Sequence, residues 1–132
     1  MLRSYPQLDP LSYQLGMVGA FCEMVQQGVK SLALSPPIPT SQAGTALAAA
    51  QEIAGYYGVR CWADGEFLPS DLAHAEDLAG HTVILLYRDD AVLSAYQALK
   101  DRRSALAARG LAPRQADAAI TPELRQLLGY PA

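Results

Sequence analysis

His81-Thr82-Val83-Ile84-Leu85-Leu86-Tyr87-Arg88-Asp89-Asp90 is the stretch from which the fold is read. Val83 to Tyr87 is a continuous apolar run with two β-branched residues, preceded by Gly80 and closed by Arg88, Asp89 and Asp90. Its short length and sharp polar boundary indicate a strand, and the absence of polar alternation indicates one covered on both faces. Such a strand needs helices on both sides of its sheet, and the flanking sequence carries helical patterns.

Upstream, Asp9 and Pro10 form a helix start, with Leu8 placed to staple it, and the helix is expected to run to about Gln27 before Gly28. Leu11, Leu15, Val18, Cys22 and Val25 make one apolar stripe, and Met17, Phe21 and Met24 make a second beside it. A helix apolar over so much of its circumference is covered on more than one side. Leu32, Ala33 and Leu34 centre a first strand within Val29 to Ser35, and Pro36, Pro37 and Pro39 are expected to stop it. Thr40 or Ser41 then caps a second helix through about Tyr57, with Leu47, Ala50, Ile53, Ala54 and Tyr57 inward and Gly58 beyond. From Val59 to Ala63 the pattern alternates, which marks a half-exposed edge strand. Asp64, Gly65 and Glu66 read as a turn, and Ser70 or Asp71 as the start of a short helix through Leu78.

Downstream, Asp90 is placed to cap a helix to about Arg109, with Val92, Tyr96, Leu99 and Leu106 inward. Lys100, Arg102, Arg103 and Arg109 fall in its C-terminal half, where cations are favoured without any partner, and read as a solvated face. Pro113 and the Thr121-Pro122 pair are each expected to open a short helix, the second carrying Leu124, Leu127 and Leu128. Alternating strands and helices predict a single α/β domain over residues 1–132. It is expected to be a small three-layer sandwich whose three-stranded parallel sheet has the order 2-1-3, with helices on both faces.

Composition narrows the function. Charged residues are 17% of the chain and the formal charge is −3, so there is no electrostatic footprint for nucleic acid or an anionic membrane. No segment approaches the ~20 apolar residues that span a bilayer, and the first ten residues lack a signal-peptide pattern, so a soluble, unprocessed cytoplasmic protein is expected. Cys22 and Cys61 form neither a disulfide framework nor a ligand cluster, and core packing is the expectation for Cys61. His74 and His81 lack metal-ligand spacing, so no metal site is expected, and no cofactor is indicated. The glycine fingerprint of dinucleotide sites and the phosphate-loop lysine motif are both missing.

In the expected topology a crevice opens at the C-terminal ends of the strands. It would collect Ser35, Thr40 and Ser41 from the first strand and its proline loop, and Arg88, Asp89 and Asp90 from the third. Free amides at the start of the second helix, its dipole and the Arg88 guanidinium together suit a small anionic metabolite. The alternatives are an acid–base enzyme, a hydrolase or transferase using Asp64, Glu66, Asp89 or Asp90 in that crevice, and a non-catalytic interaction subunit. A homodimer through the first helix is expected from that helix's wide apolar surface.

Overall fold

The computed structural model describes residues 9–130. In chain order it contains α1 (Pro10–Gln26), β1 (Leu32–Leu34), β2 (Ile38–Pro39), a 3-10 turn (Thr40–Gln42), α2 (Ala43–Tyr57), β3 (Arg60–Asp64), α3 (Ala75–Leu78), β4 (His81–Tyr87), α4 (Asp90–Ala108) and α5 (Pro113–Leu127). Leu8, expected to staple the first helix, lies outside the described residues. Asp9 caps α1 by accepting from the Ser12 amide at 3.0 Å.

The apolar run forms β4, and every other strand pairs with it. Thr82 to Tyr87 are all buried. Their side chains alternate between two cores, as a strand's period of two requires. Ile84 and Leu86 face Val18, Cys22 and Val25 of α1 and Ala46, Ala50 and Ala54 of α2. Val83, Leu85 and Tyr87 face Tyr96 and Leu99 of α4 and Ile120 and Leu124 of α5. Helices therefore pack on both faces of the sheet.

The parallel sheet of order 2-1-3 is not what forms; all of the pairing is antiparallel. Leu32 to Leu34 run against Tyr87 to Leu85, and Arg60 to Asp64 run against Tyr87 to Val83. Because β1 and β3 meet the same residues of β4, they flank it on opposite edges. They are parallel to each other and joined through α2, with the most apolar strand inserted antiparallel between them. The difference lies in the link from β3 to β4. A crossover between parallel strands needs a dozen or more residues that traverse the sheet. Here the link is spent on a turn and on bonds to α4 and α5: the Glu66 amide turns back to Asp64, the Leu68 amide donates to Tyr96, the Asp71 amide donates to Thr121, and α3 is a single turn. The chain re-enters at the end of the sheet it left.

β1 ends at Leu34, ahead of the prolines as expected, but the proline segment is not free of pairing. The prolines do not end the pairing, since Ile38 and Pro39 resume it opposite Thr82 and His81. The interruption is bridged by Ser35, whose hydroxyl accepts from the Ile84 amide at 2.9 Å, and the donor that Pro39 lacks is followed by the Thr40 amide on the Gly80 carbonyl at 3.0 Å. Nor does Pro122 start a separate helix. It sits inside α5, where the preceding Thr121 hydroxyl donates to the Asp117 carbonyl at 2.6 Å. Gly58 ends α2 with φ of 68°, a conformation that a side chain would strain.

Candidate functional site

Six residues were expected to share one crevice, and the structure divides them. Thr40 meets Thr82 hydroxyl to hydroxyl at 3.1 Å beside the first residues of β4. Arg88 follows the last residue of the strand, which at ~3.4 Å per residue puts the two about 20 Å apart along it. Ser41 lies in the 3-10 turn and caps nothing; α2 starts after Gln42 without a side-chain cap. Ser35 is buried and its hydroxyl is committed to Pro36 and Ile84. An antiparallel sheet has no single edge holding the C-terminal ends of all its strands, so the two halves of the expected site lie at opposite ends.

Arg88, Asp89 and Asp90 do come together, and other charges join them. A cleft of about 570 Å³ at the C-terminal end of β4 is lined by these three with Lys30, Ser31 and Arg60. Each acid has structural work. Asp89 rather than Asp90 caps α4, accepting from the Ala91 amide at 2.9 Å, while Asp90 accepts from Arg60 with both oxygens at 2.7 and 2.8 Å. Among the described residues the cations use only part of their donor sets. Arg88 donates one nitrogen to the Gln26 carbonyl at the end of α1, and Lys30 donates to the Leu128 carbonyl at the end of α5, both at 2.8 Å. Both contacts place positive charge where helix dipoles favour it.

A second cluster, at the other end of the sheet, was missed by sequence reasoning. Asp64 does not belong to a turn, as its sequence context suggests, but is the last residue of β3 and only 5% exposed. One of its oxygens accepts from both the Tyr96 hydroxyl and the Lys100 ammonium at 2.7 Å; the other accepts from the Glu66 amide at 2.9 Å. Burial, with the Asp64 carboxylate as a further cause, holds the Tyr96 phenol well above its ordinary pKa, so it remains a donor. Three residues along α4, Arg103 donates Nε to Asp117 of α5 at 2.8 Å, and His74 Nδ1 meets the other Asp117 oxygen at 2.8 Å. Burial acts to raise the Asp117 pKa, but the hydrogen bonds and charges of His74 and Arg103 outweigh it and hold the carboxyl below its usual value. Lys100, Arg103 and Ser104 then form one wall of a cavity of about 350 Å³, and Glu66, Phe67 and Leu68 line it from the loop after β3.

The signal for this cluster was present. Val92, Tyr96, Leu99 and Leu106 set the inward face of α4, and Arg103 completes the same spacing; on α5, Asp117 and Thr121 interrupt the stripe of Ala116, Ile120 and Leu124. A charged residue at a core-facing helical position implies a buried partner. Asp64 and Glu66 do not share a crevice with Asp89 and Asp90, because the β3–β4 register sets Asp64 opposite Val83 and Arg60 opposite Tyr87.

The thiols are poor nucleophiles. Burial pushes Cys22 up to about 11, and burial followed by the proximity of Cys22 pushes Cys61 up to about 12. His81 Nδ1 is 2.9 Å from the Ala79 carbonyl. Among the described residues no three His, Cys, Asp or Glu side chains gather where they could hold a metal ion, and no helix is long and apolar enough to cross a membrane. Comparison with protein-family models, curated proteins and solved structures finds no match.

Proposed function

We propose that the protein binds a small anionic metabolite in the cleft at the C-terminal end of β4. The observation that carries this reading is the meeting of Lys30, Arg60 and Arg88, from three separate segments, around a cleft of about 570 Å³. With Asp89 and Asp90 as its acids, the cleft keeps one positive charge in excess. Arg88 is the principal contact, since among the described residues its guanidinium spends one nitrogen on the Gln26 carbonyl and retains its other donors for a carboxylate or phosphoryl group. Asp89 and Asp90 act by holding the first turn of α4 and the Arg60 side chain. Neither has the free, paired geometry that acid–base chemistry needs, so binding is favoured over catalysis.

Calorimetric titration with inorganic phosphate and with citrate tests the reading. Arg88→Ala should weaken binding by about 1–3 kcal/mol, the range for a hydrogen bond to a charged group, while the exposed position leaves the fold intact. Equal affinity in the variant, or no saturable binding by the native protein, overturns it.

A second reading, self-association through α1, rests on a different observation. Tyr13, Gly16, Ala20 and Met24 form an exposed stripe along α1, and Glu23 and Glu52 are the only charged residues in α1 and α2 together. A second copy of the chain can approach such a face with little charge to desolvate.

A further inference from the structure

We propose that the cavity between α4 and the loop after β3 is a separate site for a small zwitterion of the α-amino acid class with an apolar side chain. The carboxylate would sit on Lys100, Arg103 and Ser104, the ammonium on Glu66, and the side chain on Phe67 and Leu78.

Lys100 and Arg103 lie one turn apart on α4, and each is anchored from beneath by a buried carboxylate, Asp64 and Asp117 respectively. Anchoring takes one Lys100 hydrogen bond and the Arg103 Nε. Among the described residues the terminal nitrogens of Arg103 make no other hydrogen bond, and both side chains line the cavity. Two positively charged donors are thus fixed in place before any ligand arrives, which removes the entropic cost of ordering long side chains.

Charge then selects among ligands. Asp64 and Asp117 each cancel one of these cations, and Glu66 on the cavity wall adds a negative charge without a hydrogen-bonded partner for its side chain among the described residues. The cavity wall thus presents charges of both signs, and a simple anion would leave Glu66 unpaired beside it. A simple cation would leave the fixed donors unused. A neutral molecule with both signs satisfies both ends. The remaining wall is apolar, with Phe67 stacked on Tyr96 at 5.3 Å between ring centroids and Leu68 and Leu78 beside it. About 350 Å³ lies at the small end of the range for ligand sites and suits a molecule of amino-acid size.

Leucine and phenylalanine are the probes, with 4-methylpentanoate and isoamylamine as analogues of leucine that lack the amine and the carboxylate. Calorimetry on the native protein should show saturable binding of at least one amino acid at millimolar concentration or below, with either analogue about tenfold weaker, as expected for loss of one charge-assisted contact. Glu66→Gln, at an exposed position, should lower amino-acid affinity about tenfold without weakening the binding of 4-methylpentanoate. Ser104→Glu, also exposed, places a negative charge beside the carboxylate subsite and should abolish binding while preserving the helical circular dichroism signal. Arg88→Ala should leave amino-acid binding intact, so failure at the β4 cleft is distinguishable from failure here. Absence of saturable amino-acid binding overturns the proposal, as does equal affinity for leucine and its two analogues, or an unchanged affinity in Glu66→Gln.

Discussion

The Tyr96 hydroxyl donates to Asp64 at 2.7 Å while accepting from the Leu68 amide at 2.9 Å, so one fully buried phenol joins α4, the end of β3 and the loop that follows. Lys100 supplies the countercharge on the same Asp64 oxygen. The group therefore acts as a unit, and partial removal is worse than its size suggests. Tyr96→Phe should cost about 1–3 kcal/mol, because it strands the Leu68 donor and removes a donor from a buried carboxylate. Asp64→Ala should cost about 3–5 kcal/mol by leaving the Lys100 charge without its partner. Urea denaturation of the two single variants and the double variant should give a combined loss smaller than the sum; additive losses would show that the contacts are energetically independent.

Asp117 makes acid stability a local property of the α3–α4–α5 contact. Its folded pKa lies below the unfolded value of about 4, so the unfolded chain takes up this proton first as pH falls. The contribution is complete above about pH 4 and is lost as pH drops through the depressed folded pKa. Asp117→Asn should lower stability by about 1.5–3 kcal/mol at pH 7 through its weakened bonds to His74 and Arg103. The gap to the native protein should narrow below about pH 4, since only the native protein has this carboxylate to protonate. Denaturation curves at pH 7 and at pH 3 measure it, and a gap of the same size at both would remove Asp117 as the source.

Legibility in the sequence followed how local the deciding interaction was. The uniform run Val83–Tyr87 announced a doubly covered strand, and the alternation at Val59–Ala63 announced an edge; both depend on residues adjacent in the chain. Strand direction depended instead on where residues 65–80 spend their hydrogen bonds, on Tyr96 and Thr121 far along the chain, and no local pattern carries that. Taken literally, the strongest apolar run also belonged at the centre of the sheet, whereas the order 2-1-3 put the weaker Leu32–Leu34 there. At the β4 cleft, Arg88, Asp89 and Asp90 stand out in the sequence by their abrupt polarity. Lys100 and Arg103 were passed over because a helix C-terminal half explains cations without partners, although the position of Arg103 in the inward spacing of α4 pointed to a buried acid.

The α1 stripe bears on assembly through its composition. A helix that is apolar on most sides gains by covering its outer face, yet Tyr13 is 59% exposed and Met24 38%. Cys22 and Val25, at neighbouring positions on the inward side, are almost fully buried, so α1 already packs against α2 and the sheet, and only the outer stripe is left. Light scattering at micromolar concentration should report a dimer for the native chain. Ala20→Glu puts a carboxylate in the middle of the stripe at a site that is exposed in the single chain and favourable to helix. It should therefore shift the population to monomer without lowering the unfolding midpoint of the monomer. A native protein that stays monomeric across the concentration series, or a variant that dimerises as readily as the native chain, would remove α1 as the contact.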